Sequence, residues 1–247
     1  MIDKPVRIGC AGWTIPKAHS GRFPGGASHL ERYAQRLNCV EINSSFHKPH
    51  LQQTYARWAA SVPEDFKFSV KMSREITHEH CLTDTGSLLD PFLEQGSGLG
   101  PKLGVLLVQL PPSLAFDANL VDRFFNEVRQ RFQGGLVCEP RHPSWFESEP
   151  EQMLVRYQVG RVAADPAVVP SAAEPGGWPG IAYYRMHGSP RTYYSQYPSE
   201  FIDELAARIC AQPADAGTWC IFDNTALGAA AGDALCLCRR LGNRSKT

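Results

Sequence analysis

The 247-residue sequence has no long apolar run; its longest stretches, such as residues 105–108, fall far short of the ~18 residues of a membrane span. Its start, MIDKPVRIGCAGW, lacks the apolar core of a secretory signal. A cytoplasmic protein with no membrane partner is therefore expected. Charge of either sign is not in excess: Lys plus Arg and Asp plus Glu number 25 each, against the whole-surface basicity of a bulk nucleic-acid binder. No GxxxxGK[ST] loop occurs, and GCAGWTIP after the first β-rich run does not fit GxGxxG, so phosphate-loop and dinucleotide sites find no support. None of the eight cysteines forms a CxxC pair, and Cys236 and Cys238, two apart, do not share a helical face. Cys10, Cys39, Cys138 and Cys220 lie in apolar strand-like runs, where a free thiol behaves as a small hydrophobe. No cofactor is expected on these grounds.

What the chain does have is regular alternation. Eight β-rich runs occur at 6–11, 39–44, 66–70, 103–110, 136–139, 160–165, 181–187 and 218–223. Between them, 29–37 puts Leu30, Tyr33, Ala34 and Leu37 on one stripe, and 120–132 does the same with Leu120, Phe124, Val128 and Phe132. Further helices are predicted over 55–61, 151–158, 199–211 and 232–241. The stretch after the sixth strand is mostly Pro, Gly and Ala, so its helix should be short or missing. Parallel neighbours need crossovers, and eight strand–helix repeats in about 250 residues predict an α/β fold, a single (β/α)₈ TIM-like barrel over 1–247.

Polar residues crowd the end of each apolar strand run. CVEINSSF places Glu41 and Asn43 on one face; FSVKMSREITH supplies Lys71 and then His78; VQLPP supplies Gln109. CEPRHPSW pairs Glu139 with Arg141, YYRMHGS pairs Arg185 with His187, and the last strand ends in Asp223 and Asn224. Barrel interiors are normally filled by branched apolar side chains, and barrels carry their chemistry at the C-terminal ends of the strands. Inward-facing charges there must satisfy one another, because an unpaired buried charge is very costly. The alternative is a self-satisfied ion-pair network.

Chemically, Glu41 and Glu139 could act as an acid–base pair in glycoside cleavage, but neighbouring cations depress carboxylate pKa values and work against a protonated acid. A carboxylate–histidine divalent metal site would face repulsion from Arg141 and Arg185. Lys71 could form a Schiff base if desolvated near other cations. The simplest expectation is an anion site. Lys71, Arg141 and Arg185 would hold a phosphate or carboxylate with Asn43, His78, Gln109 and Asn224 nearby, while Glu41, Lys71, Glu139 and His187 move protons. The expected partner is a small anionic metabolite, sugar-like or phosphorylated. A metal-dependent nuclease or phosphoesterase, for which nucleic acid would be the partner, and a non-enzymatic binding protein are the alternatives. Trp13, Trp58, Trp145 and Trp178 read as packing residues.

Taken together, IGCAGW, VEINSSFHK, FKFSVKMSREITH, LGPKLGVLLVQLPPSL, CEPRHPSWF, YYRMHGS and FDNTALGAAAGDA resemble the YecE-like family, or domain of unknown function seventy-two, over residues 6 to about 241. The resemblance implies a TIM-like barrel and no particular reaction. It marks Glu41, Asn43, Lys71, Thr77, His78, Gln109, Glu139, Arg141, His142, Trp145, Arg185, His187, Gly188 and Asn224 as motif positions. This chain departs from the family pattern at His47, where Tyr is usual, and in RFPGG, where an aromatic would precede Pro24. It departs again at Pro140 and at Asp223, where Asn is usual, which puts a direct part for residue 223 in doubt.

Overall fold

A computed structural model describes residues 6–242, so the ends of the expected 1–247 unit lie outside the described residues. The strands are β1 (Arg7–Cys10), β2 (Cys39–Ile42), β3 (Lys67–Lys71), β4 (Leu103–Gln109), β5 (Gly135–Glu139), β6 (Gly160–Arg161), β7 (Ala163–Asp165), β8 (Gly176–Gly177), β9 (Ile181–Met186) and β10 (Gly217–Phe222). The helices are α1 (His29–Ala34), α2 (Ser44–His47), α3 (Gln52–Ala60), α4 (Gly86–Gly96), α5 (Ala118–Arg131), α6 (Ser148–Arg156), α7 (Ser199–Cys210) and α8 (Ala229–Arg240). All eight expected strands are present, with ends moved by one or two residues. The sixth is divided into β6 and β7, and β8 is an additional short antiparallel partner of β6. Between β7 and β9 the described chain forms no α-helix, only a 3₁₀ turn at Pro170–Ala173 and the short β8.

Helix α4 is additional to the expected set and carries Pro91, normally a breaker, inside it. Helix α8 starts at Ala229 rather than 232, as suits an Ala-rich run, the residue with the highest helix propensity. In α5, Asp117 caps the first turn by accepting from the Leu120 N–H (2.9 Å), and Val121, Phe124, Phe125 and Val128 are buried.

The strands form two sheets, ordered β1-β10-β9-β7 and β2-β3-β4-β5-β6-β8, parallel throughout except for β8. At one boundary the chain from 160 to 165 serves both sheets: β6 pairs with β5, then β7 pairs with β9. At the other, β1 and β2 share one parallel bridge, Ala11 with Glu41. Side chains complete that seam. The Tyr33 hydroxyl accepts from Cys10 N–H (2.7 Å) and donates to the Cys39 carbonyl (3.0 Å). Asn38 accepts from Ile8 N–H and donates to the Val6 carbonyl, both at 2.8 Å. Because these groups stand in for main-chain partners, the ladder between β1 and β2 is short.

Gly9 permits this approach. A Cβ there would collide with the Cys39 carbonyl oxygen, whereas one at Gly21 would meet open space. Gly9→Ala is therefore expected to cost about 1–3 kcal/mol of stability, as overpacking does, with Gly21→Ala near neutral; urea unfolding of the two variants checks this.

Apolar residues segregate by strand face. Leu106, Val108, Leu136 and Cys138 pack with helix residues such as Phe124 and Leu154 in the large core. Val105, Leu107 and Val137 from one sheet meet Tyr183, Trp219 and Ile221 from the other in a second, smaller cluster. The polar residues continue this second face toward the C-terminal strand ends, following the period-two alternation of a strand. No helix of the described residues is long and apolar enough to cross a membrane.

Candidate functional site

Glu41, Lys71, Gln109, Glu139 and Arg185 lie at or near the last positions of β2, β3, β4, β5 and β9, and His187 and Asp223 lie one residue beyond β9 and β10. Parallel strands bring these ends together. Arg185, 0% exposed, is the hub. It grips Glu41 with two donors, Nε to Oε2 (3.0 Å) and Nη2 to Oε1 (2.7 Å). It also donates from Nη1 to Glu139 Oε2 (2.7 Å) and from Nη2 to Asp223 Oδ2 (3.0 Å). Tyr183, two residues before Arg185 on the same face, donates its hydroxyl to Glu41 Oε2 (2.9 Å) and lies 2.8 Å from Ser69 Oγ. A tyrosine has one hydroxyl hydrogen, so Ser69 is the donor in that second contact.

Glu139 is the second crossing point. Gln109 Nε2 donates to its Oε2 (2.8 Å), and Arg141 donates from Nε (3.0 Å) and Nη2 (2.7 Å) to its Oε1. His187 is held between carboxylates, with Nδ1 3.0 Å from Asp223 Oδ2 and Nε2 2.9 Å from Glu139 Oε1. Arg141 Nη2 also lies 3.0 Å from Nε2. Burial alone would raise the Glu139 carboxyl, but Arg185, Arg141 and His187 outweigh it and hold it well below the usual carboxylate range. Asp223 is lowered in the same way, burial being overcome by Arg185 and His187. Arg185 is pushed up: burial works against its charge, and Glu41, Glu139 and Asp223 overcome that.

These contacts redistribute the expected roles. Three carboxylates (Glu41, Glu139, Asp223) face three cations (Lys71, Arg141, Arg185), so the cluster has no excess of positive charge. Arg185 is buried behind its carboxylates, with its Nε, Nη1 and Nη2 each already donating to one of them. Asp223 has a direct part despite its departure from the family pattern. Asn43 reaches the cluster only at its edge, with Nδ2 3.5 Å from Asp223 Oδ1. Asn224 is not brought in; its Nδ2 donates to the Ser195 carbonyl (2.9 Å) and Asp233 Oδ2 (2.7 Å), anchoring α8. Trp145 is buried, its Nε1 donating to the Leu114 carbonyl (3.0 Å), a packing residue as expected.

Three nitrogens beside the cluster have no hydrogen-bond or ion-pair partner among the described residues. Arg141, with 21% of its side chain exposed, uses Nε and Nη2 on Glu139 and keeps Nη1 free. Lys71 Nζ sits 4.0 Å from the centre of the Phe46 ring and has no carboxylate partner. Phe46 is carried there by α2, whose Ser45 hydroxyl bonds the Lys71 carbonyl (2.7 Å). Burial, then Arg185, lower Lys71 to about 8, more than Glu41, Glu139 and Asp223 raise it. His78 packs on the same Phe46 ring, centroids 4.9 Å apart. Thr77 gives its single hydroxyl hydrogen to the Ser73 carbonyl (3.0 Å), so at 2.8 Å it accepts from His78 Nδ1, leaving Nε2 as a bare lone pair. Burial, Lys71, Arg74 and Arg141 all lower the His78 pKa, which favours that neutral form.

His78 is presented by a π-helical turn, Glu75–Glu79, followed by left-handed backbone at Cys81, Leu82 and Asp84 (φ 47°, 69° and 50°). π-turns and left-handed non-glycine residues concentrate where function holds a segment in place. His80, two residues on, is turned to the Thr83 carbonyl, and among the described residues no three His, Cys, Asp or Glu side chains are grouped to hold a metal. A cavity of about 420 Å³ adjoins the cluster, lined by Cys10, Ala11, Gly12, Thr14, Thr225 and Gly228 among others. It touches the ionic cluster only through the backbone, since Ala11 bridges Glu41 and Thr225 follows Asp223 by two residues. It offers hydroxyls and apolar walls.

Sequence reasoning passed over Tyr183 and Ser69. The signal was available: each precedes a chosen residue, Arg185 or Lys71, by two and so shares its face.

The strand-end cluster places the chain among parallel α/β proteins that gather ionisable groups at one end of the sheet. The model of the protein family of unknown function DUF72 matches residues 7–247, and the chain belongs to that family. It is 31% identical over 153 residues to the UPF0759 protein YecE of Escherichia coli K12, a match covering 61% of this chain and 54% of that one. The chain thus matches about half the length of the curated relatives. Solved structures share the fold. A DUF72 family protein of Enterococcus faecalis V583 gives a TM-score of 0.80 at 22% identity, covering 96% of each chain. One from Thermotoga maritima MSB8 gives 0.77 at 22%, covering 96% of this chain and 99% of that one.

Proposed function

We propose that the two sheets are one closed (β/α)₈ barrel and that its polar end is the active site of an enzyme acting on a small anionic metabolite. Closure is supported by the side-chain-stitched seam between β1 and β2 and by the 160–165 segment serving both sheets. It is also supported by the cluster that Val105 and Leu107 form with Tyr183 and Trp219 from the other sheet. The observation that carries the function is the asymmetry of satisfaction. Glu41, Glu139 and Asp223 are all engaged by Arg185, while Arg141 Nη1, Lys71 Nζ and His78 Nε2 have no hydrogen-bond or ion-pair partner among the described residues. A carboxylate or phosphate on the ligand would supply the acceptors that Arg141 Nη1 and Lys71 Nζ lack, and a donor group on the same molecule would meet the lone pair of His78 Nε2. The ionic cluster fixes the geometry of Arg141 through Glu139, and proton transfer falls to the neutral imidazole and the partly neutral amine.

Carboxylated and phosphorylated metabolites are expected to raise the melting temperature of the wild type. Arg141→Ala should weaken that binding by about 10- to 100-fold, as loss of a charge-assisted contact does. Thermal-shift titration with such a panel checks this; no stabilisation of the wild type by any anionic compound would remove the proposal.

A further inference from the structure

We infer that the metabolite carries a carbonyl group, an oxo acid or the aldehyde or ketone of a sugar phosphate, and that Lys71 forms an imine with it while His78 moves the protons. This deepens the small-anion reading and rests on it. Among the described residues, Lys71 is the one amine in the cluster. Its Nζ stands over the Phe46 ring at 4.0 Å, with no carboxylate among the described residues to hold its proton. A lysine meant only to balance charge would be turned onto Glu41 or Glu139, both of which are instead engaged by arginine. The aromatic face tolerates the ammonium and leaves the nitrogen lone pair open once the proton is lost. His78 shares that ring, its tautomer fixed by Thr77 with the Nε2 lone pair outward. Arg141 Nη1 is placed to hold the anionic end of the same molecule.

In the first step, the Lys71 lone pair attacks the carbonyl carbon. The C–N bond forms as the C=O π pair moves to oxygen, which takes a proton from solvent water; the nitrogen gives its extra proton to His78 Nε2. In the second, the nitrogen lone pair expels the hydroxyl, which leaves as water with the proton returned by His78. The net change is amine plus carbonyl plus one proton from solvent giving iminium and water, and no oxidant or metal is required. An amine titrating near 8 is about one-fifth neutral at pH 7.4, against about one part in a thousand for an ordinary lysine, so selectivity for Lys71 is built in.

The test incubates the full chain with glyoxylate, pyruvate or glyceraldehyde 3-phosphate in the presence of cyanoborohydride, which reduces the C=N bond to a stable secondary amine, and maps the adduct by peptide mass spectrometry. Lys71 should be modified on the order of 10-fold or more faster than the exposed Lys48, given its larger neutral fraction. Lys71→Arg, which keeps the charge but cannot form an imine, should lose that adduct and still show anion-induced stabilisation. His78→Gln, which keeps a neutral polar side chain, should slow labelling by a larger factor than it weakens anion-induced stabilisation, a split that a merely structural role would not produce. Equal labelling of Lys71 and Lys48, with anion stabilisation intact, overturns the imine and leaves the anion site standing. Absence of both overturns the imine together with the reading beneath it.

Discussion

Arg185→Ala should destabilise the fold by about 3–5 kcal/mol at pH 7, the cost of removing one partner from a buried ionic network. Four donor contacts to three carboxylates depend on this guanidinium, which is 0% exposed. Without it Glu41 keeps only the Tyr183 hydroxyl, and Asp223 keeps His187 and the marginal contact from Asn43. The effect should also depend on pH in a defined sense. The folded-state pKa values of Glu139 and Asp223 are depressed, so their contribution is complete above the ordinary carboxylate range and is lost as pH falls below about 4 toward the depressed values. The gap between wild type and variant should therefore be widest near neutrality and narrow below pH 4. Urea unfolding at pH 7 and at several acidic values measures it; a difference under about 1 kcal/mol at pH 7 would show that the network does not hold the strand ends together.

The strands were legible because each is a short apolar run bounded by turns, and the β-branched residues inside it favour the extended chain. The two seams were not legible. Nothing in ERYAQRLNCVE says that the Tyr33 hydroxyl and the Asn38 amide will substitute for main-chain partners of β1, because that depends on how closely α1 returns to the strand. Likewise Gly160 to Asp165 reads as one strand, and only the tertiary arrangement decides that it pairs first with β5 and then with β9.

The site divides in a similar way. Period two along a strand is strict, so Glu139 with Arg141 and Arg185 with His187 could be grouped from sequence, and they do converge. Who pairs with whom is a matter of angstroms across the sheet. Arg185 looked like a ligand-binding cation from its place near a strand end, and three carboxylates from three other strands claim it. His78 gained importance through its π-helical turn, whose geometry the run REITHEH does not announce. Asn224 is adjacent to Asp223 in sequence, but one residue of backbone turns it to α8 and Asp233.

Lys71→Met is expected to do the opposite of Arg185→Ala and stabilise the protein, by as much as roughly 3 kcal/mol at pH 7, the equivalent of lowering the amine from 10.5 to about 8. Burial is the main cause, and the groups facing the amine are Arg185, which works against its charge, and Glu41, Glu139 and Asp223, which favour it. His78 and Arg141 face the same rim from the turn after β3 and from the end of β5. In the unfolded chain Lys71 keeps its proton up to its ordinary pKa, whereas in the folded protein it releases it near 8. Between those values the unfolded state binds more protons, so wild-type stability attributable to this group rises with pH. The advantage of Lys71→Met should accordingly be full at pH 7, shrink from about pH 8, and vanish near 10.5; other alkaline titrations are common to both proteins and cancel in the difference. Parallel urea titrations of the two proteins from pH 7 to 10.5 provide the measurement, and a gap of the opposite sign, or one that does not change with pH, would show that the amine is not held against its charge. A charge kept on the amine of the cluster where it costs stability is what the proposed imine chemistry requires of that group.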